Sequence, residues 1–255
     1  MIEYVELSDA KIAYQTFGHG EPVVMIHGFT LDMRMWDDQI DAFAKSFQTV
    51  RYDLRGFGKS TTPNGEPYIH ADDLAALLDH LRIERAHVMG LSLGGGIALD
   101  FACLHPDRLN DLVLVDSAMG GYPWTTSFNV KRDANDLVGY KRNWLAHGLF
   151  APALKNPNVA SRLRQMIDDY SGWHWLNTDS DRFPPPSVFE RLEGITARTL
   201  AVLGEWDLQD FHGIADAIST RMPNARKVVI AGAGHMSNME QPDAFNQVVM
   251  NFLRE

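Results

Sequence analysis

Six short, largely apolar runs alternate with amphipathic stretches along most of this chain, and that alternation limits the folds open to it. The runs are Val23–Ile26, Thr49–Tyr52, His87–Met89, Leu112–Val115, Leu200–Leu203 and Val228–Ile230. Apolar runs this short and β-rich suit strands buried on both faces, the condition of a parallel sheet. Between them Leu74, Leu77, Leu78 and Leu81 recur at helical spacing, as do Phe245, Val248, Val249 and Phe252. Trp36, Ile40, Phe43 and Phe47 form a similar stripe. Strands alternating with helices predict an α/β fold with a mostly parallel central sheet and helices on both faces. Ahead of this pattern, Ile2 to Phe17 alternates apolar and polar residues around Ser8-Asp9-Ala10, which predicts an antiparallel hairpin.

The rhythm breaks once. Residues 118–190 carry no clean strand and hold four of the chain's six tryptophans, Trp124, Trp144, Trp173 and Trp175. Positive and negative charges nearly balance there, so the acidic excess lies in the rest of the chain. The segment closes on Pro184-Pro185-Pro186, a stiff exit toward the Leu200 run. A structureless loop of this length is improbable. The expectation is a helical lid over residues 118–190, inserted into a core made of residues 1–117 and 191–255. The alternative is a set of ordinary crossover helices whose aromatics pack the core.

Charge and cysteine content exclude several functions. The 255 residues carry 23 Lys and Arg against 33 Asp and Glu, a formal net charge of -10. Such a surface repels phosphate backbones and anionic membranes, so neither nucleic acid nor membrane is an expected partner. Cys103 is the one cysteine, which rules out an internal disulfide and a cysteine-rich metal site. The first six residues lack the basic-then-apolar pattern of a secretory signal, and no apolar run approaches the ~20 residues of a spanning helix. These features predict a cytoplasmic protein, monomeric or homodimeric.

The sharpest chemical signal is Gly90-Leu91-Ser92-Leu93-Gly94, directly after the His87 run and before the apolar stretch Ile97–Cys103. G-x-S-x-G between strand and helix is the nucleophile elbow. The chain turns so sharply that the serine is strained and its hydroxyl exposed. Gly90 and Gly94 then leave room for close backbone, and Gly95 and Gly96 are expected to extend that packing.

Three further stretches accompany the elbow. His27-Gly28-Phe29-Thr30 follows the Val23 run, Asp53-Leu54-Arg55-Gly56-Phe57-Gly58-Lys59-Ser60 the next one, and Gly234-His235 stands with Glu240 and Pro242 near the C-terminus. In this order the four motifs resemble those of the α/β-hydrolase fold superfamily over nearly the whole chain outside residues 118–190. Serine at the elbow sets the chain apart from haloalkane dehalogenases and epoxide hydrolases, whose similar folds place aspartate there.

A serine hydroxyl needs a base within hydrogen-bond reach, and His235 in its glycine-rich loop is the candidate. An acid must fix the imidazole tautomer. Asp207 ends Gly204-Glu205-Trp206-Asp207 just past the Leu200 run, where the family carries its acid. Asp116 at the end of the Leu112 run is one rival. Asp210 is another, though it better suits capping a helix that begins near Phe211. The expected triad is Ser92, Asp207 and His235, with the Phe29 and Leu93 backbone N–H groups as oxyanion hole. Trp124, Trp144 and Met236 are expected to line the substrate site. The other nine histidines, His27 among them, and the Asp53–Arg55 charge pair with its glycines, read as structural. Trp36 either reaches the pocket or fills the core.

Asp133, Asp136, Asp168 and Asp169 lack metal-ligand spacing with histidines, and no nucleotide-binding glycine motif is present, so no metal or cofactor is expected. The leading reading is a serine hydrolase cleaving a small-molecule carboxylic ester or lactone. Residues 30–37 somewhat resemble the corresponding loop of enol-lactonases. Two alternatives remain open: a carbon–carbon bond hydrolase of ring-cleavage products, and a slow-turnover ligand receptor on the same fold.

Overall fold

The computed structural model describes residues 1–128, 136–182 and 185–255. Eight strands form one sheet: β1 (Glu3–Glu6), β2 (Lys11–Phe17), β3 (Glu21–Ile26), β4 (Phe47–Tyr52), β5 (Ala86–Leu91), β6 (Leu109–Val115), β7 (Arg198–Gly204) and β8 (Ala225–Ile230). Their order is β1-β2-β4-β3-β5-β6-β7-β8. The β1–β2 and β2–β4 pairs are antiparallel and every other pair is parallel. The N-terminal alternation therefore makes a hairpin, and each of the six apolar runs lies in a strand with at least one parallel neighbour. Burial explains their composition. Val23, Val24, Met25, Ile26, Leu112, Val113, Leu114 and Leu200 are fully sealed, each such side chain contributing roughly 1.5–3 kcal/mol relative to exposure. An aspartate at Val113 would leave an unpaired carboxylate in that layer, at a cost of several kcal/mol.

The exception is β8. It is the sheet's edge, so only one neighbour covers it, and Val229 is 45% exposed. A β-rich run there reflects strand propensity without two-sided burial.

Helices α1 (Asp37–Phe43), α2 (His70–His80) and α3 (Leu93–Leu104) lie between the early strands. α7 (Gln209–Arg221) joins β7 to β8, and α8 (Ser237–Glu240) and α9 (Pro242–Leu253) end the chain. The Leu74 and Phe245 stripes fall on α2 and α9 as their spacing implies. The Trp36 stripe is only partly helical. It runs through a 3₁₀ turn, Met33–Trp36, into α1, while Phe47 already belongs to β4. Ala44 to Ser46 turn the chain between them, so the last apolar residue faces the core from a strand.

Between β6 and β7 the described residues form α4 (Leu137–Leu145), α5 (Pro157–Asp169), α6 (Trp173–Leu176) and short 3₁₀ turns, with no strand among them. A 3₁₀ segment, Val188–Gly194, runs across residue 190 toward β7. Of the three prolines closing this stretch, Pro184 lies outside the described residues, as does Asp133. Two ion pairs tie α5 to the core: Arg34 to Asp169 at 2.8 Å and Arg162 to Asp38 at 2.6 Å. Among the described residues no helix is long and apolar enough to cross a membrane.

Register sets up the site. Ile26 lies opposite Gly90, Leu91 opposite Val115, Val115 opposite Val202 and Gly204 opposite Ile230. The loops leaving β3, β5, β6, β7 and β8 thus emerge at one level along the carboxyl edge, where ligands of parallel sheets bind.

Candidate active site

Ser92 sits between β5 and α3 with φ +54°, in the left-handed region that disfavours any side chain. The surroundings enforce this strain. Its N–H donates to the Val115 carbonyl at 3.0 Å, and its carbonyl accepts from the Ala118 N–H at 3.0 Å and the Gly96 N–H at 3.1 Å. The elbow is pressed so hard against β3 that a Cβ on Gly94 would stand 2.3 Å from the Ile26 carbonyl oxygen. Glycine there is a packing requirement. Gly96 differs from the sequence-based expectation: its nearest neighbour would be the Ala118 carbonyl oxygen at 3.6 Å, an ordinary contact.

Asp207 lies in the loop after β7. One carboxylate oxygen accepts from the Leu208 N–H at 2.7 Å and the other from His235 Nδ1–H at 2.9 Å. The two side chains are 0% and 2% exposed, so water does not compete for this bond. With Nδ1 donating, Nε2 carries the lone pair, and it has no hydrogen-bond partner among the described residues, the Ser92 hydroxyl included. Phe211 packs on the imidazole with ring centroids 4.3 Å apart. Glu240 braces the histidine's backbone from both sides, accepting from the Gly234 N–H at 2.9 Å and the Met236 N–H at 3.0 Å. Burial pushes the Glu240 carboxyl up, against those two hydrogen bonds.

Asp116 ends β6 and is buried a few ångströms away. The ligand atoms of Asp116, Asp207 and His235 all lie within 4.8 Å of one another. Such a trio has the spacing of metal ligands, but its oxygens are already engaged. Asp116 accepts from the Gly204 N–H at 2.7 Å and the Ser237 hydroxyl at 2.5 Å. Burial, then the neighbouring Asp207 charge, hold the Asp116 carboxyl well above the usual carboxylate range. Asp116 therefore clamps the loops that carry Asp207 and His235, and His235 Nδ1 goes to Asp207. Asp210 does not cap a helix. It lies inside the first turn of α7, and its carboxylate reaches out to the backbone and hydroxyl of Thr125 and the Thr126 N–H. Those bonds, the Thr126 contact foremost, lower its pKa.

Across the elbow, the His27–Thr30 turn follows β3. His27 Nδ1–H donates to the Gly28 carbonyl and its Nε2 accepts from the Leu54 N–H at 3.0 Å, so both ring nitrogens hold the turn. Burial lowers its pKa to about 4, which keeps the ring neutral. Trp144 Nε1–H donates to the Thr30 hydroxyl at 2.7 Å, and that hydroxyl donates to the Phe29 carbonyl at 2.6 Å. A chain of two hydrogen bonds thus connects α4 to the Phe29 peptide. The Phe29 and Leu93 N–H groups donate to no acceptor among the described residues.

These parts surround a cavity of about 280 Å³. Phe29, Ser92, Leu93, Trp124, Trp144, His235 and Met236 all line it. Sequence reasoning missed Phe128, Leu149, Phe150 and Phe211, which complete the apolar wall. Trp36 fills the core against Phe245. Asp53 and Arg55 stand apart from one another: Asp53 accepts from the Met33 and Lys59 N–H groups, while Arg55 pairs with Asp9 and Asp73.

Residues 21–242 match the alpha/beta hydrolase fold family. The chain belongs to that family. As an α/β-hydrolase it is similar to enzymes acting on different bonds. It is 30% identical to a 2-hydroxymuconate semialdehyde hydrolase of Pseudomonas sp. (strain CF600), over 93% of this chain and 88% of that protein. Among solved structures, Est816, described as an N-acyl homoserine lactone degrading enzyme, matches with a TM-score of 0.81 and 28% identity. That match covers 98% of this chain and all of the other. Naproxen esterase from Bacillus subtilis matches with a TM-score of 0.79 and 25% identity, covering 99% and 91%. The chain is a hydrolase of this fold, and its relatives include esterases, lactonases and a carbon–carbon hydrolase.

Proposed function

We propose that this α/β-hydrolase cleaves a carboxylic ester or lactone through an acyl-enzyme formed on Ser92. The observation that carries the reading is the buried Asp207–His235 bond, which leaves Nε2 unpartnered in the cavity that Ser92 lines. His235 Nε2 takes the hydroxyl proton as Ser92 Oγ attacks the carbonyl carbon. The Phe29 and Leu93 N–H groups receive the oxyanion. The tetrahedral intermediate collapses, the C–O bond to the alcohol breaks, and the alcohol leaves with the proton from His235. Water then repeats the sequence on the acyl-enzyme, releasing the acid and regenerating Ser92. Catalytic hydrogen bonds of this kind tighten in the Michaelis complex, so the missing Ser92–His235 bond does not count against the pair. The described residues of 118–190 would act as the lid, since Trp124, Trp144, Leu149 and Phe150 supply one wall.

A carbon–carbon hydrolase is the second reading, favoured by the resemblance to the 2-hydroxymuconate semialdehyde hydrolase. The wall counts against a carboxylate-bearing substrate of that kind, because no arginine or lysine lines the cavity among the described residues. Steady-state hydrolysis of p-nitrophenyl esters, acetate through octanoate, by wild type and Ser92→Ala separates the readings. Sustained turnover that disappears in the variant supports the esterase. A burst without turnover points to the second reading or to a receptor.

A further inference from the structure

Beyond the aromatic cavity lies a second one of about 400 Å³. It shares Leu93, Ala118 and Trp124 with the first, so the two chambers are neighbours on either side of the proposed oxyanion donor. Its other walls include Gly96, Asp100, Met119 and Val188. Only Asp100 among them is charged.

Asp100 is unusual. It is 7% exposed, yet its carboxylate has no hydrogen bond or ion pair among the described residues. Arg191 and Asp181 lie within electrostatic reach, with opposite effects, and Cys103 on the same helix feels the Asp100 charge. Neither oxygen is sealed off, so the carboxylate, held among apolar walls, is short of solvent yet reachable from the chamber it lines. Here the helix gives its direction. Side chains on α3 lean toward the N-terminus, which tilts Asp100 back over Gly96, one turn earlier, and toward Leu93. Gly96 lacks a side chain although packing leaves room for one, and that missing side chain is open space on the chamber floor.

We propose that this second chamber binds the remote end of the substrate and that Asp100 there accepts a hydrogen bond from a terminal hydroxyl or ammonium group. The proposal rests on the ester-hydrolase reading and narrows its substrate to an amphiphilic chain with a donor at its far end. Asp100 stands eight positions beyond Ser92, a backbone rise of about 12 Å, and its side chain leans back over Gly96, so the donor stands at most about eight to ten chain atoms from the carbonyl.

The test compares p-nitrophenyl esters of 8-hydroxyoctanoate, 8-aminooctanoate and nonanoate, equal in heavy-atom length. Wild type should favour at least one donor ester over nonanoate by about ten- to hundredfold in kcat/KM. Asp100→Leu should bring that ratio to one or below, and a ratio read within one variant cancels any general loss. Asp100→Asn keeps an acceptor, so it should retain preference for the hydroxyl and lose preference for the ammonium. Gly96→Val should shorten the preferred acyl chain. A wild-type ratio near one, or a ratio unmoved in Asp100→Leu, overturns the proposal. Ser92-dependent hydrolysis of p-nitrophenyl acetate tests the ester reading separately. If no ester is turned over, calorimetry of 1-aminooctane with Ser92→Ala protein decides: binding lost on adding Asp100→Leu supports the chamber, and no binding overturns it.

Discussion

The Asp207 carboxylate accepts the Nδ1 proton of His235 at 2.9 Å, while Asp116, equally buried and close by, spends its two oxygens on Gly204 and Ser237. One acid orients the imidazole and the other holds the loops that carry both. Asp207→Asn should therefore lower kcat by about 10³–10⁴, because the amide no longer fixes the imidazole tautomer. Steady-state kinetics checks this, and near-native activity would move the orienting acid to Asp116.

Asp116 itself is expected to matter for stability. Asp116→Leu leaves the Gly204 N–H and the Ser237 hydroxyl without an acceptor, at a cost of about 1–3 kcal/mol for each buried group. Asp116→Asn keeps one acceptor and should lose less than the leucine variant. Urea denaturation of the two variants measures the difference.

Ser92 combines a strained backbone with the role of proposed nucleophile. Replacement by glycine removes the penalty of φ +54° and should raise stability by a few tenths to about 1 kcal/mol while abolishing turnover. A melting temperature below wild type would show that the elbow stores no strain.

The Trp144–Thr30–Phe29 chain places a donor from α4 in control of the Phe29 peptide. Trp144→Phe keeps most of the wall and loses the N–H. We expect kcat to fall by about tenfold with a smaller change in KM, within the 10²–10³ that a complete oxyanion donor contributes. A pure KM effect would assign Trp144 to substrate packing alone.

Burial pushes the Asp53 carboxyl up to about 7, against hydrogen bonds from the Met33 and Lys59 N–H groups. The native state then binds a proton that the unfolded chain releases near pH 4. This contribution is full below about pH 4 and is lost as pH rises through about 7. Asp53→Asn removes the titration, so the stability of wild type relative to the variant should decline between pH 4.5 and 8. Thermal melts across that range check the sign, and a difference that grows with pH contradicts it.

Much of this was legible in the sequence because it is local. Apolar runs report strand propensity and, away from the sheet's edge, burial, and each of the six lies in a strand with at least one parallel neighbour. The elbow's glycines report close backbone at Gly94. What was hidden depends on distant contacts. Asp210 lies where a helix cap is plausible, and only the return of Thr125 and Thr126, 85 and 84 residues earlier in the chain, shows its real task. Asp53 and Arg55 invite pairing by proximity but find separate partners across the fold. Phe47 continues a helical period into a strand because three residues of turn happen to preserve its phase. Val229 has the propensity of a core strand and lies on an edge. Gly96 looks like its neighbours and differs only in what stands opposite it.

The most direct test of the account is covalent trapping. Wild-type protein is treated with a p-nitrophenyl alkylphosphonate, which mimics the tetrahedral intermediate, and the digest is read by mass spectrometry. The account predicts one phosphonyl group per chain, on the peptide containing Ser92, with loss of esterase activity in proportion. An adduct elsewhere, or inactivation with Ser92 unmodified, would contradict it.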